Sequence, residues 1–267
     1  MHCGSVGSHR WIGKGGLSMQ AMVIVTSGTN CDLELAQAFE DAGASCQTVQ
    51  LHSILDAPEA LDGAELVGLP GGFAYGDAVA AGRIKAALMR ERVVPVLARL
   101  LDRGVPMIAP CNGFQTAVQC GLLPGPAPAR PEVALAPNVS GRFEDRWTGV
   151  DFPESRCIWT HGLAGELGHE LPSAHGEGRF VANEATLSRL VDDRQVAVRY
   201  QDNFNGSDDA IAGICDPSGL LLGLMPHPER WTRHSQHPSW TRRPAGSSTT
   251  GQRMFRAAVE HAQAALR

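Results

Sequence analysis

The sequence predicts a single α/β domain built on a mostly parallel sheet flanked by helices. Three observations carry that expectation. Apolar residues fall in short continuous runs, helical stripes lie between those runs, and the turns joining them are short. The 267 residues, 43% apolar and only 19% charged, suffice for a substantial core and exclude a disordered chain or a coiled coil.

Residues 1–20 contain five glycines and scattered His, Arg and Lys. They lack the apolar stretch of about 7–15 residues that a secretory signal requires. They read as a disordered extension or an over-long start, and the domain proper as 21–267. The triplets Asn138-Val139-Ser140 and Asn205-Gly206-Ser207 match the glycosylation pattern, but nothing provides a route to secretion.

Residues 21–26 (AMVIVT) read as a strand buried on both faces. Next comes a helix with the apolar stripe Leu35, Ala38, Phe39 and Ala42, closed by Gly43. Residues 45–51 and 65–69 read as the second and third strands, the latter ending at Pro70-Gly71-Gly72-Phe73. Residues 82–103 read as helical with a break before Pro95. Residues 105–109 form the fourth strand and 113–120 a helix stopped at Gly121. The five prolines of 124–137 predict an irregular stretch. Beyond it, 157–160, 196–200, 211–215 and 220–224 read as shorter strands, and 252–266 as a closing helix.

The formal charge of −5 gives no general attraction to nucleic acid or anionic lipid, and no apolar run reaches the roughly 18 residues of a membrane span. Seven cysteines without a C-x-x-C pair suggest neither a disulfide framework nor a zinc knuckle, and fit a reducing cytoplasm. His161, His169 and His175 share no helix face and no carboxylate joins them, so no metal is expected.

Open α/β sheets place their sites at the carboxyl ends of strands. Cys111 stands there, between VPMIAP and the helix opened by Asn112-Gly113-Phe114-Gln115. This order describes a nucleophile elbow, where the positive end of a helix favours thiolate chemistry. Cys31 follows the first strand at a greater distance and reads as a first-turn helix residue. Pro226-His227-Pro228-Glu229 follows another strand. If it is extended, His227 and Glu229 project to the same side, a base beside a carboxylate that fixes its tautomer. Gly71-Gly72-Phe73 offers backbone N–H groups at a third strand end, the raw material of an oxyanion site.

These segments, with the loop 70–77 (PGGFAYGD), resemble the class I (triad) glutamine amidotransferases. Gly28-Thr29-Asn30-Cys31-Asp32, SGRFEDRW at 140–147, AHGEGRF at 174–180, DDAIAGICDP at 208–217, GLMPHPER at 223–230 and QHPSWTR at 236–242 narrow the resemblance. They are similar to the glutaminase subunits of phosphoribosylformylglycinamidine synthase. The resemblance implies a flavodoxin-like fold, with Cys111 attacking the glutamine amide, His227 protonating the departing ammonia and Glu229 orienting His227. It further implies an oxyanion held by N–H groups of Gly72 or Phe73 and of Asn112. It places Gln115 on the substrate, and His175 in the glutamine pocket or at a partner interface. Ammonia would pass to a separate synthetase subunit, which uses ATP and Mg to convert formylglycinamide ribonucleotide to formylglycinamidine ribonucleotide, with a small bridging subunit in the complex.

No phosphate-binding P-loop or dinucleotide motif occurs, so no cofactor is expected on this chain. The elbow departs from the family in having Ala109 and Pro110 where a glycine and an aliphatic residue are usual. The six arginines between Arg230 and Arg256, with no Asp or Glu between them, read either as a solvated basic loop or as a surface for the synthetase. Two other readings stay open: the glutaminase of a different amidotransferase, and a catalytically silent regulatory scaffold.

Overall fold

A computed structural model describes residues 19–125, 132–244 and 248–265. The extension expected at 1–20 lies, up to residue 18, outside the described residues; Met19 is buried and Gln20 opens the first strand. In chain order, β1 (Gln20–Val25), α1 (Asp32–Asp41), β2 (Ser45–Gln50), α2 (Leu51–Asp56) and β3 (Leu66–Gly68) lead to α3 (Arg83–Met89) and α4 (Val94–Asp102). Then β4 (Met107–Pro110) runs into α5 (Asn112–Gln119). The second half contains β5 (Val133–Ala136), β6 (Glu144–Asp151), β7 (His169–His175), β8 (Arg179–Ala182), α6 (Glu184–Asp192), β9 (Val196–Tyr200), β10 (Ile211–Cys215), β11 (Leu221–Leu224) and α7 (Thr250–Ala265).

Nine strands make one sheet in the order β2-β1-β3-β4-β11-β10-β9-β6-β7, and β5 pairs with β8 separately. Pairings from β2 through β11 are all parallel, and those from β11 to β7 all antiparallel. Only β10 and β6 are therefore reversed, and the other strands of the sheet point one way. The start of this order, 2-1-3-4, is that of a flavodoxin-like sheet.

The continuous apolar runs have a direct cause. Met22 and Ile24 of β1 enter one core cluster with Leu97, Met107 and Phe114, while Ala21, Val23 and Val25 enter the other with Phe39, Phe255 and Val259. Strand residues alternate sides, so a strand with helices over both faces must be apolar throughout. In the second cluster Phe39 meets Phe255 and Trp159 edge-on at centroid distances of 5.3 and 6.4 Å. Each such pair adds about 0.5–1.5 kcal/mol beyond its buried area.

The break before Pro95 is found, with Pro95 in the first turn of α4, and Gly43 sits just past α1. Three expectations need correction. Residues 157–160 are a turn rather than a strand; Cys157 and Trp159 are apolar because they plug the α7 side of the core, Trp159 donating Nε1–H to Leu220 O at 2.9 Å. The proline-rich stretch is not irregular to its end, because the proline-free residues 132–136 allow β5 to pair with β8. And the later strands are interrupted by a helix that was not expected among them: α6, whose N-cap Asn183 accepts from Thr186 N–H at 2.8 Å.

Three arginines of the arginine-rich segment are taken up by ion pairs within the chain. Arg233 pairs with Asp41, Arg243 with Glu170 and Arg253 with Glu166, all carboxylates from distant parts of the chain. In the QHPSWTR segment His237 packs on Trp147 at 4.3 Å and lies 3.6 Å from Glu170, bracing the start of β7. That brace matters because β7, although at the far edge of the sheet, curls back over the ends of β4 and β11. Pro172 O accepts from His227 N–H at 2.7 Å and Ala174 O accepts from Cys111 Sγ at 3.7 Å. Among the described residues, no helix is long and apolar enough to cross a membrane.

Candidate active site

Cys111 joins β4 to α5 with φ +50° and ψ −111°, a conformation that L-residues rarely adopt. It is held there from both ends. Cys111 N–H donates to Leu224 O at 2.7 Å, locking it to β11, and Gln115 N–H donates to Cys111 O at 3.1 Å. Gly113 must be glycine, since a Cβ there would stand 1.9 Å from Leu69 O. Pro110 costs nothing at the elbow. Met107 and Cys111 send their N–H groups to β11, so the N–H missing at residue 110 faces β3, which has already ended.

His227 and Glu229 come together as expected, though by a different route. Pro228 opens a short 3₁₀ turn, Pro228–Arg230, so curvature rather than extension sets the pair side by side. His227 Nδ1 lies 2.6 Å from Glu229 Oε1, and both residues are 1% exposed. The bond fixes Nδ1–H as the donor and leaves Nε2 for the thiol. Burial works against a charged ring, but the Glu229 carboxylate and the Cys111 sulfur more than offset it and hold the His227 pKa well above its ordinary value. The other Glu229 oxygen is buried without a partner, so imidazolium is the carboxylate's main compensation. A methyl group on Gly71 would stand 2.9 Å from His227 Cε1, 3.2 Å from Cys31 Sγ and 3.3 Å from Cys111 Cβ. All three side chains therefore crowd around the bare Cα of Gly71.

The oxyanion donors divide. Phe73 N–H is spent on Gly28 O at 2.8 Å, which removes it from the two alternatives; Gly72 N–H and Asn112 N–H take no backbone acceptor. Gln115 is buried with its Nε2–H donating to Glu177 O at 2.6 Å, and its Oε1 accepts from Asn112 Nδ2 at 3.0 Å. His175 is 3% exposed, stacks on Phe204 and lines the same cavity as Cys111. This cavity of about 130 Å³ is bounded by Gly72, Phe73, Asp77, Gln115, Phe143 and the 174–177 loop.

Four residues near the thiol were not picked out from sequence as site residues. Asp77 and Glu177 line the cavity. Cys31, at the start of α1, lies beside His227, with Arg230 Nη2–H donating to its sulfur at 2.9 Å. The signal was available for three of them, since Cys31 and Asp77 follow strand-end turns and Arg230 is next to Glu229. The ligating atoms of Cys31, His227 and Glu229 lie within 4.8 Å of one another. A cation there would face the Arg230 guanidinium and compete with the bond between His227 and Glu229. His161 and His169 do not join His175 at this cavity.

A thiol at a strained elbow, a charged imidazole fixed by a carboxylate and two free N–H groups above a small cavity define an acyl-transfer site of the thiol type. The chain belongs to the family whose model is described as the CobB/CobQ-like glutamine amidotransferase domain, matched over residues 18–262. It is similar to phosphoribosylformylglycinamidine synthase subunit PurQ of Dehalococcoides mccartyi, 37% identical over 92% of this chain and 98% of the relative. The subunit PurQ of Zymomonas mobilis is 38% identical over 79% and 90% of the two chains. Among solved structures, a chain of PurLQS from Thermotoga maritima superposes with a TM-score of 0.73 at 32% identity, covering 91% of this chain and 99% of that one.

Proposed function

We propose that this chain is the glutaminase subunit of phosphoribosylformylglycinamidine synthase, working in the cytoplasm with a synthetase subunit and a small bridging subunit. The observation that carries this reading is the Cys111, His227 and Glu229 constellation, set in a chain that matches PurQ subunits over nearly its full length.

Cys111 Sγ attacks the side-chain amide carbon of glutamine, its proton already held on His227 Nε2, as the raised pKa of that ring favours. The amide oxygen takes up negative charge, and the N–H groups of Gly72 and Asn112 hold it. His227 then gives its proton to the leaving nitrogen, the C–N bond breaks, and ammonia departs from a γ-glutamyl thioester. Water attacks that thioester while His227 takes its proton; the C–S bond breaks, glutamate leaves, and the free sulfur and protonated His227 of the starting state are restored. Glu229 keeps Nδ1–H engaged throughout. Gln115 touches the substrate, as the resemblance implies, and helps to hold the Glu177 loop. No cofactor is needed on this chain. ATP and Mg serve the synthetase, which uses the ammonia on formylglycinamide ribonucleotide.

The test uses the complex with the synthetase. Cys111→Ala is expected to abolish glutamine-dependent product while ammonium still supports it. Intact glutamine use by that variant would overturn the reading. A different synthetase accepting ammonia from this chain would assign it to another amidotransferase.

A further inference from the structure

Cys31 is buried beside the triad, yet the reaction above makes no use of it. It stands at the start of α1, 1% exposed, and its sulfur lies within 4.8 Å of a His227 ring nitrogen and of a Glu229 carboxylate oxygen. Resting on the glutaminase reading above, we infer that Cys31 is a positioning residue: its sulfur holds the Arg230 guanidinium off Glu229, so that the carboxylate stays committed to His227.

Arg230 and Glu229 are natural partners. They are neighbours on the Pro228–Arg230 turn, and Glu229 Oε2 is buried without a hydrogen bond. A guanidinium keeps its charge at physiological pH and presents a fork of N–H groups that fits a carboxylate. Burial opposes the Arg230 charge, but Cys31, Glu229 and Glu34 outweigh it and raise the pKa. The contacts are nevertheless made elsewhere: Arg230 Nε lies 3.9 Å from Glu34, and Nη2–H donates to Cys31 Sγ at 2.9 Å. Cys31 and Glu34 stand three residues apart at the start of α1, on one side of the helix, and hold the guanidinium at two points. Cys31 is prepared for this. Its S–H donates to Asn30 Oδ1 at 3.2 Å, which leaves the sulfur lone pairs for Arg230. A Cβ on Gly71 would stand 3.2 Å from the sulfur, so that bare Cα closes another side of it.

The hold matters because the buried imidazolium depends on Glu229. Burial disfavours the His227 charge, while Glu229 from its own turn, Cys111 from the elbow and Cys31 from α1 favour it. His175, from β7, is kept neutral by burial, its pKa held down to about 4. A guanidinium that moved onto Glu229 would occupy the carboxylate and set a second positive charge beside His227. Both effects lower the His227 pKa. The proton needed by the departing ammonia would then be lost at a lower pH.

The test follows glutamate release by the complex with the synthetase from about pH 6 to 10, where the alkaline limb of kcat/KM reports loss of the His227 proton. Cys31→Ala is expected to move that limb about one unit to lower pH, the size of one charged hydrogen bond. Cys31→Ser keeps a group that donates to Asn30 and accepts from Arg230, so its limb should match that of the unaltered chain. In an Arg230→Met background, Cys31→Ala should shift the limb by less than about a third of a unit, because no guanidinium remains to move. Three results would each overturn the inference: a limb unmoved by Cys31→Ala, a Ser variant that behaves like the Ala variant, or the same Cys31→Ala shift in both backgrounds. Failure of the unaltered complex to release glutamate would instead overturn the glutaminase reading itself.

Discussion

Lys85 provides the sharpest energetic test of the fold. It lies on α3, fully buried in the apolar layer, with Nζ lacking any hydrogen-bond partner. Burial lowers its pKa from 10.5 to about 8, with only the Cys120 thiol opposing. A drop of that size corresponds to roughly 3 kcal/mol, because each pKa unit is about 1.4 kcal/mol. The folded chain binds this proton less tightly than the unfolded chain does. Lys85 therefore costs the fold that amount below about pH 8, and the cost fades as pH rises toward 10.5. Lys85→Met keeps the length of the side chain and removes the charge. Urea unfolding of the two proteins at pH 7, 8 and 9 should show the variant more stable by about 2–3 kcal/mol at pH 7, with the gap shrinking at each step. Burial also pushes the Cys120 thiol up to about 11, which costs stability only above pH 9, so the steps from pH 7 to 9 read Lys85. A variant less stable at pH 7, or a gap independent of pH, would refute the reasoning.

At the site, Glu229→Gln leaves the burial of His227 opposed by the Cys111 sulfur but no longer by a carboxylate, so the His227 pKa falls. Glutaminase kcat/KM should drop by roughly two to four orders of magnitude, and wild-type turnover would sink the role given to Glu229. Gly71→Ala puts a methyl 2.9 Å from His227 Cε1, so activity should be lost while the unfolding midpoint changes little; an active variant would show that the triad does not crowd this Cα. Gly113→Ala meets backbone oxygen instead, at 1.9 Å, and should lower the melting temperature as well as activity, which circular dichroism would read.

The parallel half of the sheet was legible because burial on both faces leaves continuous apolar runs such as 21–26. The antiparallel half was harder. β6 reads EDRWTGVD, with only Thr148 and Val150 buried and charged residues on both faces, which hide the strand. Residues 157–160 mislead in the opposite sense, being as apolar as a strand yet serving as a plug. Cys111 and the His227–Glu229 pair stood out because chemistry-bearing residues follow strands directly. Glu177 did not, because what places it is the return of a distant loop onto Gln115. No local pattern encodes that return.

The curl of β7 over the ends of β4 and β11 also bears on the growing chain. Cys111 leaves the ribosome well before its base, and more than a hundred residues separate it from His227. Until then the thiol lacks the His227 imidazole, and Pro172 O has no His227 N–H to hold. A truncated chain ending before residue 227 is therefore expected to lack glutaminase activity.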